Sequence, residues 1–201
     1  MTPLADDLRQ QKRALRREMQ ARRRAMTDVE RTEASAGLLE VIRGSEPWRQ
    51  AGQILLFAPL PDEPDIFPLL EEALAAGRRL ALPRFSPSQG VYEVAEVQVL
   101  ERDLYPGAFG IREPRPECPL FPSKHLDFTL LPGVAFASDG FRLGRGKGYY
   151  DRLLPGLGGG FCGVAMDWQV LPSVPAGSHD KAVNWIATPT RWITVRRVLQ
   201  E

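Results

Sequence analysis

Between Gly140 and Arg152 the chain reads Gly-Phe-Arg-Leu-Gly-Arg-Gly-Lys-Gly-Tyr-Tyr-Asp-Arg, so glycines at 144, 146 and 148 alternate with Arg145 and Lys147. Glycine reaches left-handed conformations without a Cβ penalty, so such a loop can turn several N–H groups toward one point and let a ligand approach the main chain. Amides and two cations aimed at one place suit phosphate oxygens, and a helix starting near Tyr149 would add its positive end. Two familiar phosphate loops are excluded by spacing. A Walker A motif needs Gly where Phe141 stands and Ser or Thr where Gly148 stands. A dinucleotide-binding G-x-G-x-x-G needs Gly where Asp151 stands. Taken alone the pattern is also that of an ordinary turn. The Tyr149-Tyr150-Asp151 run that follows at once adds two aromatic faces and a carboxylate fit for a metal, which a turn does not require.

Other candidates are scattered. Glu63, within Pro61-Asp-Glu-Pro-Asp65, has by itself the make-up of a solvated loop acid. On a helix advancing roughly 100° per residue, Lys12 and Arg16 lie beside the apolar stripe and can reach inward, or can snorkel along the flank. Arg22-Arg23-Arg24 reads as a solvated basic flank or a nonspecific anion contact. His125 and His179, the only histidines, lack the partners a zinc site needs. Tyr149, Tyr150, Phe109 and Trp168 read as core or cleft lining.

The elements that must position these groups follow from periodicity. Leu4, Leu8, Leu15, Met19 and Met26 form a stripe on a charged helix over residues 4–25. Thr27, with Glu30 in the next turn, caps a second helix over 28–42 that ends near Gly44. A buried strand is expected at 53–58, a helix at 64–76 closed by Gly77, and a strand at 79–83. A half-exposed strand at 91–97, a Pro/Gly-rich stretch at 106–122 and a strand at 128–132 come next, then the glycine loop and a short helix at 149–154. Strands at 161–166, 184–188 and 192–196 complete the pattern. The alternation predicts a single-domain, three-layer α/β fold: a mainly parallel sheet with helices on both faces, preceded by two N-terminal helices. In such sheets ligands bind beyond the carboxyl ends of strands. Glu63 and the glycine loop both fall there, behind different strands of one cleft, so the acid and the loop are expected to hold different ligands.

Composition narrows the partners. With 26 basic against 25 acidic residues among 201, the net charge of +1 excludes a wholly basic nucleic-acid or membrane-surface binder. The apolar runs are too short to cross a bilayer. Cys118 and Cys162 have no metal-ligand spacing and read as free thiols of a cytoplasmic protein, expected to be a monomer acting on small molecules. Eighteen prolines and only four lysines fit either a hot habitat or a GC-rich genome.

The run Asp127-Phe-Thr-Leu-Leu-Pro-Gly-Val-Ala-Phe136, followed by Leu143-Gly-Arg-Gly-Lys-Gly-Tyr-Tyr-Asp151, resembles the signature of the 5-formyltetrahydrofolate cyclo-ligase (5,10-methenyltetrahydrofolate synthetase) family. The resemblance extends to Lys12-Arg-Ala-Leu-Arg16, Glu63, Leu82-Pro-Arg84, Phe109-Gly-Ile-Arg-Glu-Pro114, Gly163-Val-Ala-Met-Asp-Trp-Gln169 and His179-Asp180. Where the family often has Asp after the Ala-Phe pair, this chain has Ala137 and then Ser138-Asp139, and Asp139 receives no catalytic role.

The resemblance implies the same fold and an ATP- and Mg2+-dependent conversion of 5-formyltetrahydrofolate to 5,10-methenyltetrahydrofolate. It implies ATP binding by Lys12, Arg13, Ala14, Leu15 and Arg16 and by Arg142, Leu143, Gly144, Arg145, Gly146, Lys147, Gly148, Tyr149 and Tyr150. Arg145 and Lys147 would be the catalytic cations. Folate would meet Ala58, Glu63, Phe109, Tyr149 and Tyr150, with the pterin against a tyrosine and the Phe57-Ala58 backbone. Asp151 and Asp180 would share Mg2+. Two other classes stay open: a nucleotide- or folate-binding homologue without turnover, and a sugar-phosphate isomerase or transferase of similar layout that needs no ATP.

Overall fold

A computed structural model describes residues 3–107, 110–177 and 180–196. The chain opens with helices α1 (Pro3–Ala25), α2 (Asp28–Gly44) and α3 (Glu46–Gln50). Thr27 caps α2 as its sequence predicts: its hydroxyl accepts the Glu30 amide at 3.2 Å, while the Thr27 amide donates to Glu30 Oε2 at 2.7 Å. Then come β1 (Gln53–Leu55), α4 (Phe67–Ala75), β2 (Arg79–Ser86), β3 (Val91–Val97), α5 (Leu100–Asp103), β4 (Leu104–Pro106) and β5 (Arg112–Pro114). The C-terminal half contributes β6 (Phe128–Pro132), β7 (Ala135–Ala137), β8 (Arg142–Leu143), α6 (Tyr149–Leu153), β9 (Gly160–Val164), β10 (Val170–Leu171), β11 (Trp185–Ala187) and β12 (Trp192–Thr194).

Seven strands form the central sheet in the order β12-β11-β9-β6-β1-β2-β3. The inner pairs are parallel, and only the edges β3 and β12 run antiparallel to their neighbours. One face carries α2, α3 and α4 over a core that includes Leu38, Ile42, Trp48, Ile54, Leu69, Leu80 and Phe128. Over the other face lie α6, the segment bearing Phe121 and Leu126, and a small sheet ordered β10-β7-β8. The sequence pattern does not announce this small sheet, because strands of two or three residues are shorter than a readable alternation. It is held down by Phe136 of β7, whose ring fills the space a Cβ at Gly163 of β9 would need, 2.2 Å from Cε1. Helix α1 docks on this second sheet through Met19, which joins Val134, Ala135 and Leu143 in a separate core.

The helix expected at 64–76 is Phe67–Ala75, the strands expected at 161–166 and 192–196 end at Val164 and Thr194, and two further shifts bear on the cleft. The strand expected to run to residue 58 ends at Leu55, and the buried chain beyond it leaves the sheet into the cleft. The strand expected at 79–83 continues to Ser86 because it pairs with β3 as a long hairpin, from Leu80↔Val97 to Ser86↔Val91. From β1 the chain builds outward to β2 and β3, then returns to place β6 on the other side of β1, so strand order reverses between β1 and β6. A crevice opens at such a reversal.

Candidate active site

The crevice holds a cavity of about 490 Å3 lined by Phe57, Ala58 and Glu63 after β1, Pro132 and Gly133 after β6, and the loop from Arg142 to Asp151. This volume falls within the roughly 300–1,000 Å3 of small-molecule sites. Gly146 and Gly148 have φ of 103° and 67°, the left-handed region that the alternating glycines predict. Helix α6 after the loop is only five residues long, so its dipole adds little beside the loop amides and side-chain cations.

Arg145 does not wait in open solvent. Its Nε and Nη2 donate to Glu63 Oε1 at 3.1 and 2.8 Å, and Nη2 also donates to Asp62 Oδ1 at 2.9 Å. Burial opposes the charge on Arg145, but Glu63 and Asp62 outweigh it and hold the guanidinium above its ordinary pKa. At Asp62 burial acts to raise the carboxyl, and Arg145 with Arg23 more than reverse that. Glu63 is thus buried, with Oε2 accepting the Leu60 amide at 3.1 Å. The acid and the glycine loop, expected to act on separate ligands, are joined by one guanidinium.

Two side chains one turn apart on the N-terminal helix reach the C-terminal half of the chain. Arg16 Nε donates to the Gly144 carbonyl at 2.8 Å, and Lys12 Nζ pairs with Asp180 Oδ2 at 2.6 Å. Burial lowers the Arg16 guanidinium, while the nearby carboxylates of Asp151 and Asp180 act in the opposite sense. Leu15 packs on the core beside Leu143, and Arg13 and Ala14 are exposed on the far side of the helix. Of the segment 12–16, Arg16 meets the loop and Lys12 meets Asp180, outside it. Arg23 departs from the solvated flank expected of it: it is buried, paired with Asp62 at 3.2 Å and donating to the Gly133 carbonyl at 3.4 Å. The missed signal is its place four residues beyond Met19, on the docked face.

Asp151 accepts Arg142 Nη2 on Oδ1 at 2.6 Å, and the Arg142 side chain is 3% exposed. Asp180 Oδ2 also takes the Gly177 amide at 2.7 Å. Burial acts to raise the Asp180 carboxyl, but Lys12 and that amide leave it below the ordinary range. Among the described residues these hydrogen bonds engage one oxygen of each aspartate and leave Asp151 Oδ2 and Asp180 Oδ1 for another ligand. No cluster of three His, Cys, Asp or Glu occurs among the described residues. Two carboxylates with the rest of the shell from phosphate and water fit Mg2+, which seldom takes an all-protein cage.

Aromatic rings close one wall. Tyr92 stands 5.1 Å from Tyr149 and 5.6 Å from Tyr150, and Phe85 lies 5.2 Å from Tyr149. Burial pushes the Tyr92 hydroxyl up to about 12 and raises that of Tyr150 well above its ordinary value, so both act as neutral phenols. Tyr92 went unnoticed in the sequence because it sits in an alternating edge strand. Glu113, also unassigned there, lines the same cavity. Trp168 packs beside Met19 and Val174 rather than in the cleft. Asp139 Oδ1 accepts the Phe141 amide at 3.2 Å, a turn role. Phe109 and His179 lie outside the described residues.

The 5-formyltetrahydrofolate cyclo-ligase family profile matches residues 8–189. A 5-formyltetrahydrofolate cyclo-ligase of Mycolicibacterium smegmatis is 32% identical over 151 residues, covering 72% of this chain and 77% of that protein. The Mus musculus cyclo-ligase is 27% identical over 189 residues, 86% of this chain and 91% of its own. The solution structure of Aquifex aeolicus 5,10-methenyltetrahydrofolate synthetase superposes with a TM-score of 0.83 at 32% identity, covering 94% of this chain and 96% of that one. The match thus takes in both the glycine loop and Arg16 of α1, which contacts it, and the chain belongs to the 5-formyltetrahydrofolate cyclo-ligase family.

Proposed function

We propose that the protein converts 5-formyltetrahydrofolate and ATP to 5,10-methenyltetrahydrofolate, ADP and phosphate. One observation carries the reading: an apolar, aromatic cleft at the β1/β6 reversal is lined by the loop cations Arg142, Arg145 and Lys147, and Arg16 of the distant helix α1 holds that loop at the Gly144 carbonyl. A flat reduced pterin and a polyphosphate are the two guests such a junction suits.

The N5-formyl oxygen is a poor leaving group until it is phosphorylated. In the proposed sequence that oxygen attacks the γ-phosphorus and ADP departs. The N10 lone pair then adds to the formyl carbon, N10 gives up its proton, and the C–O bond breaks as phosphate leaves with the electron pair. The product is an amidinium cation shared by N5 and N10. Such transfer asks the protein chiefly for alignment and for cations against the equatorial oxygens. Lys147 lines the cavity and would serve there; Arg145 would exchange Glu63 and Asp62 for phosphate oxygens. Arg16, anchored on the Gly144 carbonyl, fixes the loop against α1. Asp151 and Asp180 would hold Mg2+, which neutralises charge developing on the phosphates.

Purified protein given 5-formyltetrahydrofolate, ATP and Mg2+ should form the methenyl product, read by its near-ultraviolet absorbance, with one ADP per turnover. Product formed without ATP, or ADP release without product, would refute the proposal.

A further inference from the structure

Glu113 is the carboxylate of the cleft to which the proposed chemistry gives no task. It lies on β5, is 2% exposed and lines the cavity. Two neighbours fix it. The Phe85 amide of β2 donates to Oε2 at 3.1 Å, and Gly107 packs so closely on the stem that a Cβ there would stand 2.7 Å from Cδ. Among the described residues Oε1 has no hydrogen-bond partner, and Glu113 forms no ion pair. A buried acceptor left in that state costs free energy, and a site retains one when a ligand is to complete it.

Glu63, another acid lining the cleft, is in the opposite condition. Both oxygens of Glu63 are engaged, Oε1 by two donors of Arg145 and Oε2 by the Leu60 amide. While Arg145 stays on Glu63, an incoming donor finds both Glu63 oxygens engaged and Glu113 Oε1 open.

We propose that Glu113 Oε1 accepts the 2-amino group of the pterin ring and so orients the reduced folate in the cleft. The inference rests on the cyclo-ligase reading. The reactive N5-formyl group and N10 must face the glycine loop, where the phosphates are placed. That leaves the pyrimidine edge as the polar end of the ring turned to the remaining wall. Glu113 enters from β5, which packs on β2 and β3, and so reaches the cavity from a different element than the loop that follows β8. Tyr92 of β3 and Tyr149 stand between as the flat apolar lining.

The test is a binding cycle read by titration calorimetry. Parent and Glu113→Ala are each titrated with 5-formyltetrahydrofolate, with its 2-desamino analogue and with ATP. The parent should lose roughly ten- to a hundredfold in affinity on removal of the amino group, the worth of one charge-assisted hydrogen bond. Glu113→Ala should lose a similar factor for the natural folate, show almost no further loss for the analogue, and bind ATP within twofold of the parent. Glu113→Gln, which keeps the shape and one acceptor, should fold as the parent does and fall between them, so misfolding of the alanine variant cannot decide the matter. Equal losses for folate and analogue in either variant, or a parallel fall in ATP affinity, would overturn the assignment. A parent that binds folate and turns it over while showing no preference for the amino group would overturn it and leave the proposed function intact. A parent with no folate binding at all would overturn both.

Discussion

Glu63→Gln removes the charge around which the Arg145 side of the cleft is assembled. Glu63 Oε1 receives Arg145 at 2.8 and 3.1 Å and Oε2 receives the Leu60 amide at 3.1 Å, so each oxygen serves donors only. A glutamine offers one oxygen and one NH2; whichever way it turns, a donor faces either Arg145 or Leu60. A hydrogen bond to a charged group contributes about 1.5–3 kcal/mol. The Glu63 side chain is 7% exposed but that of Arg145 is 44% exposed. Solvent screening and the Asp62 contact that Arg145 keeps reduce the expected loss to about 1–2 kcal/mol. Urea denaturation of the parent, Glu63→Gln, Arg145→Met and the double variant measures it. Each single variant should be destabilised by about that amount, and the double by roughly 1 kcal/mol less than the sum, because both remove one interaction. Additivity to within about 0.5 kcal/mol would show that the bridge is not made in solution, and with it would fall the claim that acid and loop act as one unit.

Three further outcomes are expected. Lys147→Ala should lower turnover roughly a hundredfold, the effect of removing one donor aimed at developing charge, and steady-state kinetics within twofold of the parent would remove Lys147 from the site. Asp151→Asn and Asp180→Asn should each raise the Mg2+ concentration for half-maximal activity, with the double variant losing much less than the sum in log rate; unchanged Mg2+ dependence would show that the two share no metal. Burial raises the Glu113 carboxyl against the pull of the Phe85 amide, so its contribution to stability is fully present below the unfolded-state value near pH 4 and is lost as pH rises through the folded-state value. Glu113→Gln should therefore be more stable than the ligand-free parent at neutral pH, the difference vanishing toward pH 4, and denaturation curves with a pH-independent difference would contradict the sign.

The parts of the site legible in the sequence are those written in consecutive residues. Gly146 and Gly148 take the left-handed conformations their alternation predicts, and Thr27 with Glu30 forms the expected cap. The α/β alternation likewise gives a mostly parallel sheet. What stayed hidden depends on distant segments meeting. Arg23 reads as one of three adjacent surface arginines until the cleft wall supplies Asp62 and the Gly133 carbonyl, 39 and 110 residues away. Glu113 stands in a Pro-rich stretch where a solvated acid is ordinary; only the closure of Phe85 and Gly107 around it makes it a buried, half-satisfied group. The small sheet of β7, β8 and β10 belongs to the same class, since its strands are too short for periodicity and exist because Phe136 finds space over Gly163.

The charges in the cleft and beside it are arranged in opposed pairs, and this bears on which form of nucleotide it accepts. Lys12 is matched to Asp180, Arg142 to Asp151, and Arg145 to Asp62 and Glu63. A free polyphosphate drawing these cations away would leave partly buried carboxylates facing its own negative oxygens, which costs more than the new contacts return. A magnesium-bound nucleotide carries both signs, so under the proposed function the Lys12–Asp180 and Arg142–Asp151 pairs would trade partners: these cations would turn to phosphate while the two aspartates would hold the metal. The same logic sets the direction for the asparagine variants. Stripped of one carboxylate, they should bind metal-free ATP more tightly than the parent even as their Mg2+ requirement rises; calorimetry in chelator showing weaker binding would mean that the aspartates support the nucleotide only by holding Arg142 and Lys12 in place.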